Sequence, residues 1–166
     1  MKIRTFRFGA AALLTLLSAP ASAAESSINA ADTGFMIVAT ALVLMMTIPG
    51  LAMFYAGMVR KKNVLATMAQ SFAATALVSI LWFALGYTLS FHGDGRWIGE
   101  LGRAFFAGIG VDTVSPLAKT IPELLFAGYQ MTFAVITCAL VAGAVADRLK
   151  FSAFLIFSAL WLFIVY

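Results

Sequence analysis

Residues 35–59 read FMIVATALVLMMTIPGLAMFYAGMV, twenty-five consecutive residues without a charged side chain. As a helix this stretch would be about 37 Å long, against roughly 30 Å for the hydrocarbon core of a bilayer. It therefore predicts a membrane-spanning helix. Residues 64–90 and 124–146 repeat the pattern over twenty-seven and twenty-three residues, and residues 151–166 add sixteen more that are apolar or carry a hydroxyl. The last stretch meets no polar boundary, and a carboxylate inside hydrocarbon would cost several kcal/mol, so it reads as a fourth spanning helix cut off in a piece of a longer protein. Composition agrees: 63% of the 166 residues are hydrophobic and 11% are charged, where about 25% charged is ordinary for soluble domains. A soluble domain, a disordered tail and a nucleic-acid-binding module are all excluded on those figures. The eleven Lys and Arg residues are scattered, giving a net charge of +4 but no basic face for a phosphate backbone. The lone Cys138 lies in an apolar run and reads as a buried thiol, which rules out an internal disulfide framework or a multi-Cys metal site.

The start of the chain has a different logic. Lys2, Arg4 and Arg7 precede an apolar stretch at 8–17 and the small-residue triplet Ala21-Ser22-Ala23. That is the pattern of a cleavable signal peptide over residues 1–23, because ten apolar residues reach only half-way across a bilayer. The mature segment, 24–166, then carries helices at about 35–59, 64–90, 123–146 and 151–166. Asp32 or Thr33 is expected to cap the first, Asn63 the second, and a Thr120/Glu123 capping box the third. Residues 91–121 read as a long polar loop whose apolar insert, 104–109, is too short to span. The single histidine, His92, is expected to be solvated there. Arg60, Lys61, Lys62, Arg148 and Lys150 against Asp147 place the two short loops in the cytoplasm. The acidic long loop and the mature N-terminus then face outward, which a secretory signal also requires.

No span holds Asp, Glu, Lys, Arg or His in its interior, which removes the usual marks of a proton relay or an embedded hydrolase. No nucleophile–base set, HExxH or phosphate-cradling loop can be assembled, so the chain is not expected to be an enzyme or to hold a cofactor or metal. Two features remain. On the third helix Phe126, Tyr129, Gln130, Phe133 and Thr137 share one face at 100° per residue, mixing aromatic rings with an amide and a hydroxyl. Such a face suits a cation path, since ring faces attract cations without a fixed negative charge that would trap them. The sequence pattern alone favours a packed aromatic stripe. In the first helix Thr47-Ile48-Pro49-Gly50 predicts a kink, because proline frees a carbonyl one turn back. The small-residue spacings Ala52-x-x-x-Ala56 and Ala139-x-x-x-Gly143 predict close helix contacts.

The run Ile48-Pro49-Gly50-Leu51-Ala52-Met53-Phe54-Tyr55-Ala56-Gly57-Met58-Val59-Arg60, with Lys62-Asn63-Val64 after it, resembles the first-helix signature of the ammonium transporter (Amt/Mep/Rh) family. Tyr129-Gln130-Met131-Thr132-Phe133-Ala134-Val135-Ile136-Thr137 and Asp147-Arg148-Leu149-Lys150-Phe151-Ser152-Ala153 are similar to later motifs of the same family, in order. The resemblance implies an all-α integral membrane fold, the first four of eleven helices in an inverted repeat, assembled as a homotrimer with a pore in each subunit. It implies that Phe133 is the aromatic gate beneath an external ammonium site, flanked by Tyr129 where phenylalanine is common. It weights the third-helix face toward a pore. Ala56 stands where the family commonly has glycine. The external tryptophan and both pore histidines would lie beyond Tyr166, so residues 1–166 alone would not conduct. Implied partners are ammonium or ammonia, the lipid bilayer of a plasma membrane and a cytoplasmic PII-type regulator. The alternative is an ammonium sensor, the same membrane module coupled to a cytoplasmic signalling domain.

Overall fold

The structure is a computed structural model that describes residues 27–146 and 148–166. The expected signal segment, 1–23, and Asp147 lie outside the described residues. Among the described residues three helices are long and apolar enough to cross a membrane: span one, Ala30–Met58, span two, Lys61–Phe91, and α5, Glu123–Val145. A fourth apolar helix, α6, runs over Phe151–Ile164 and is shorter, at 14 residues. Span one consists of α1 (Ala30–Met45) and α2 (Ala52–Met58), joined by a π-helical turn at Met46–Leu51 that contains Pro49. Span two has the same construction, with α3 (Val64–Leu81) and α4 (Tyr87–Phe91) joined by a second π turn at Trp82–Gly86.

Two expected caps are corrected. The first helix begins a turn and more before the apolar run, and its cap is Asn29, whose Oδ1 accepts from the backbone N–H groups of Ala31 (2.8 Å) and Asp32 (3.3 Å). Hydropathy marks the hydrocarbon slab; a helix runs on into the interface, where Asp32 then contributes a favourable negative charge to the first turn. The Thr120/Glu123 capping box does not form. Thr120 lies in a strand, Pro122 occupies the N-cap position, and the Glu123 carboxylate is engaged elsewhere. Asn63 stands at the N-cap position of α3 but makes no side-chain capping bond there; its carbonyl accepts from the Thr67 hydroxyl at 3.0 Å.

The loop between span two and α5 is more ordered than a polar loop need be. It contains a 3-10 segment, Leu101–Phe106, and a two-stranded antiparallel hairpin of β1 (Val114–Ser115) and β2 (Ala118–Pro122). Asn29 N–H donates to the Thr120 carbonyl at 2.8 Å, tying the start of span one to the hairpin. His92 is half-buried rather than solvated, its ring lying over Gly102. The hairpin end of the bundle thus holds the start of span one, the end of span two and the start of α5. The opposite end holds the short loops with Arg60, Lys61, Lys62, Arg148 and Lys150.

Small residues mark the places where helices meet. Ala52, Ala74, Ala127, Ala134, Ala139 and Ala142 are all fully buried, as expected where association depends on close backbone approach and not on removal of water. Gly143 is the tightest instance. A Cβ there would overlap the ring of Tyr55 and come within 2.8 Å of its Oη, which donates to the Leu140 carbonyl at 3.1 Å. Tyr55 is only half-buried, so its ring can swing aside at the expense of that bond. Gly143→Ala is therefore expected to cost about 1 kcal/mol in reversible detergent unfolding of the full-length protein. In a Tyr55→Leu background the same substitution should cost less, the two changes being non-additive because the residues touch.

Candidate functional site

The aromatic residues of α5 are placed by its first three turns. Phe126 is buried, and Tyr129, Gln130 and Phe133 are half-buried. Tyr129 and Phe133, one turn apart, meet edge to face, with ring centroids 5.1 Å apart and planes at 75°. Phe126, Tyr129 and Gln130 line one wall of an open cleft of about 370 Å³ whose other walls come from span one (Asp32, Phe35, Met36) and the hairpin (Ala118, Thr120, Ile121). The cleft therefore joins three ring systems, a primary amide and one exposed carboxylate at the hairpin end of the bundle. Phe133 does not line it, but its ring meets that of Tyr129, which does.

The hydroxyls of the same helix turn inward on its own backbone. Thr137 Oγ1 donates to the Phe133 carbonyl at 2.6 Å, and Thr132 Oγ1 donates to the Tyr129 carbonyl at 2.7 Å. Thr137 thereby spends its one proton on its own helix and leaves only acceptor capacity on the face where the sequence pattern put it. Pro49 and Gly50 are not brought to the cleft. Their π turn packs lower on α5, where Leu51 meets the cluster containing Ala139 and Ala142, and within it the Thr47 hydroxyl is fully buried and donates to the Val43 carbonyl at 3.3 Å.

A sequence model of the Ammonium Transporter Family matches residues 34–166. The chain belongs to this family. It is 48% identical over 139 residues to a putative ammonium transporter of Methanothermobacter thermautotrophicus, covering 84% of this chain and 34% of that protein. It is 50% identical over 135 residues to an ammonium transporter of Bacillus subtilis, covering 81% and 33%. Among solved structures, Candida albicans Mep2 superposes with a TM-score of 0.72 at 33% identity, over 84% of this chain and 30% of the other. The chain spans about a third of the length of these curated relatives and corresponds to the N-terminal part of the family fold. As a member of the ammonium transporter family it is a multi-pass membrane protein, and its bundle of apolar helices fits that assignment.

One group at the hairpin end carries more structure than the sequence suggested. Glu123 is 4% exposed, its Oε2 pairs with Arg103 Nη1 at 3.0 Å, and its Oε1 accepts from the Tyr87 hydroxyl at 2.8 Å. The available signal was a single acid at the first residue of an apolar run, with one arginine twenty residues earlier.

Proposed function

We propose that this segment forms the outer entry of an ammonium path through the full-length protein, with the hairpin end outside and the basic loops in the cytoplasm. The observation that carries the reading is the Tyr129–Phe133 ring pair on α5, set beside a cleft that also holds Gln130 and the Asp32 carboxylate. A small cation drawn to the cleft by Asp32 meets ring faces that attract it by about 0.5 kcal/mol where exposed and about 2 kcal/mol where water is excluded. Because the rings carry no net charge, the cation is held weakly enough to move on. Phe133, whose ring meets that of Tyr129, acts as the gate. The π turn around Pro49 and Gly50 packs against the inner half of α5 and supports the kinked course of span one beside the path. Assembly as a homotrimer with a pore in each subunit, plasma-membrane residence and docking of a PII-type regulator on the basic end rest on the family resemblance.

Uptake of labelled methylammonium by the full-length protein tests the reading. Phe133→Ala should raise the KM between about 2-fold and about 30-fold, the span set by those cation–π energies, and should admit larger amines. Unchanged affinity and selectivity would remove Phe133 from the path.

A further inference from the structure

Glu123 is the one buried carboxylate among the described residues. Its two oxygens serve different elements: Oε1 holds the Tyr87 hydroxyl in the last turns of span two, and Oε2 holds Arg103 in the loop between span two and α5. Arg103 Nη1 also donates to the Gly108 carbonyl at 3.2 Å, and its backbone N–H donates to Thr88 Oγ1 at 3.1 Å. Thr88 Oγ1 in turn donates to the Glu100 carbonyl at 2.5 Å. The backbone N–H of Glu123 donates to the Thr113 carbonyl at 2.7 Å, so the first residue of α5 is bonded both to the loop that precedes it and to the neighbouring helix.

The segment after Arg103 shows how firmly the loop is held. Phe105 and Phe106 both lie in the left-handed region, at φ 54° and 57°, which bulky residues adopt only where the surroundings impose it. Phe106 packs edge-on against Phe83 (5.2 Å) and Tyr87 (5.4 Å), and Phe105 packs against Phe83 (5.9 Å). The carboxylate thus sits beneath a constrained loop and at the head of the helix that carries the candidate gate. Tyr129 and Phe133 follow it by about 9 Å and about 15 Å along the axis. The pair is only partly buried, with the Glu123 carboxylate inside and the Arg103 side chain 25% exposed, and an ion pair that takes a carboxylate out of water is a poor device for stability, since apolar residues of similar volume do as well or better. Its best-attested use is to fix one register among several.

We propose that Glu123 is a positioning residue: its bonds to Arg103 and Tyr87 set the axial register of the first turns of α5 against span two, and so the place of the Tyr129–Phe133 pair. The consequence for transport rests on the function proposed above; the register itself does not. The test uses the full-length protein at matched membrane levels, comparing Glu123→Gln, Arg103→Gln and Arg103→Lys. Methylammonium uptake gives KM and Vmax separately, and hydrogen exchange follows the amides of residues 127–133. Glu123→Gln and Arg103→Gln should raise KM about fivefold with Vmax changed less than twofold, and should speed exchange at 127–133 about tenfold. Arg103→Lys, which keeps the charge, should stay within twofold of wild type in both. Wild-type uptake with unchanged KM in the Gln variants overturns the proposal, as does a fall in Vmax alone. If the wild-type protein takes up no methylammonium, the transport reading fails, and the exchange measurement still decides the register: unaltered protection in Glu123→Gln overturns it.

Discussion

Trp82→Ala should destabilise the full-length protein by about 3 kcal/mol, the low end of the range for truncating a fully buried large aromatic residue. The indole has no exposed surface and meets three rings edge-on: Tyr87 at 6.3 Å, Phe91 at 6.1 Å and Tyr166 at 5.9 Å. Its Nε1 donates to the Ala127 carbonyl at 3.1 Å, so one side chain links span two, α5 and Tyr166, two residues past α6. The backbone leaves room for it through Gly86, where a Cβ would lie 2.9 Å from the indole Cε3. Between helices in lipid little stabilisation comes from removing water, and lost dispersion contacts together with the cavity left behind account for the expected cost. Trp82→Phe keeps part of the ring packing and loses the N–H, and should cost about 1 kcal/mol. Reversible unfolding in mixed detergent micelles would measure both. An Ala variant as stable as the Phe variant would mean that the bundle is not organised around this ring.

How much of this was legible in the sequence depends on which force acts at each position. Residues 35–59 announce a span because hydropathy is a sum over many residues, and no single contact can overturn it. The end of a helix is set by one or two hydrogen bonds. Asn29 therefore caps span one from outside the apolar run, where the hydropathic boundary pointed to Asp32 or Thr33. Thr120 and Glu123 have the spacing of a capping box, but both oxygens of the Glu123 carboxylate are taken up by Tyr87 and Arg103, and Thr120 lies in the hairpin. No local pattern reports a partner twenty residues away. The shared face of α5 was readable from periodicity as far as Phe126, Tyr129 and Gln130, which line one cleft. How the hydroxyls of that face are used was not, because Thr137 donates its proton one turn back along the same helix. The hairpin was missed for a similar reason: two- and five-residue strands leave too short a run for alternation to register.

Gly99→Ala should detach the loop from the end of span two, and the reason is space, not backbone torsion. A Cβ at this position would overlap the His92 carbonyl oxygen and lie 2.6 Å and 2.7 Å from those of Thr88 and Leu89. The last turn of span two leaves carbonyls that no intrahelical N–H can reach, and the loop between span two and α5 supplies the donors. Gly99 N–H donates to Leu89 O and Glu100 N–H donates to His92 O, both at 2.8 Å. Backbone oxygens of a helix cannot rotate away, so the loop has to lift. Losing both bonds costs about 2 kcal/mol, and the Thr88–Glu100 link, which sits between them and Arg103, loosens with them. Gly102→Ala is the control. Its Cβ would meet the His92 ring at 2.7 Å, a side chain that can turn aside, and the backbone bonds would survive. Limited trypsin digestion of the full-length protein separates the two: Gly99→Ala should be cut at Arg103 at least tenfold faster than wild type, while Gly102→Ala stays within about twofold. Equal susceptibility in the two variants would mean that the loop is held by the His92 ring and not by its hydrogen bonds to the end of span two.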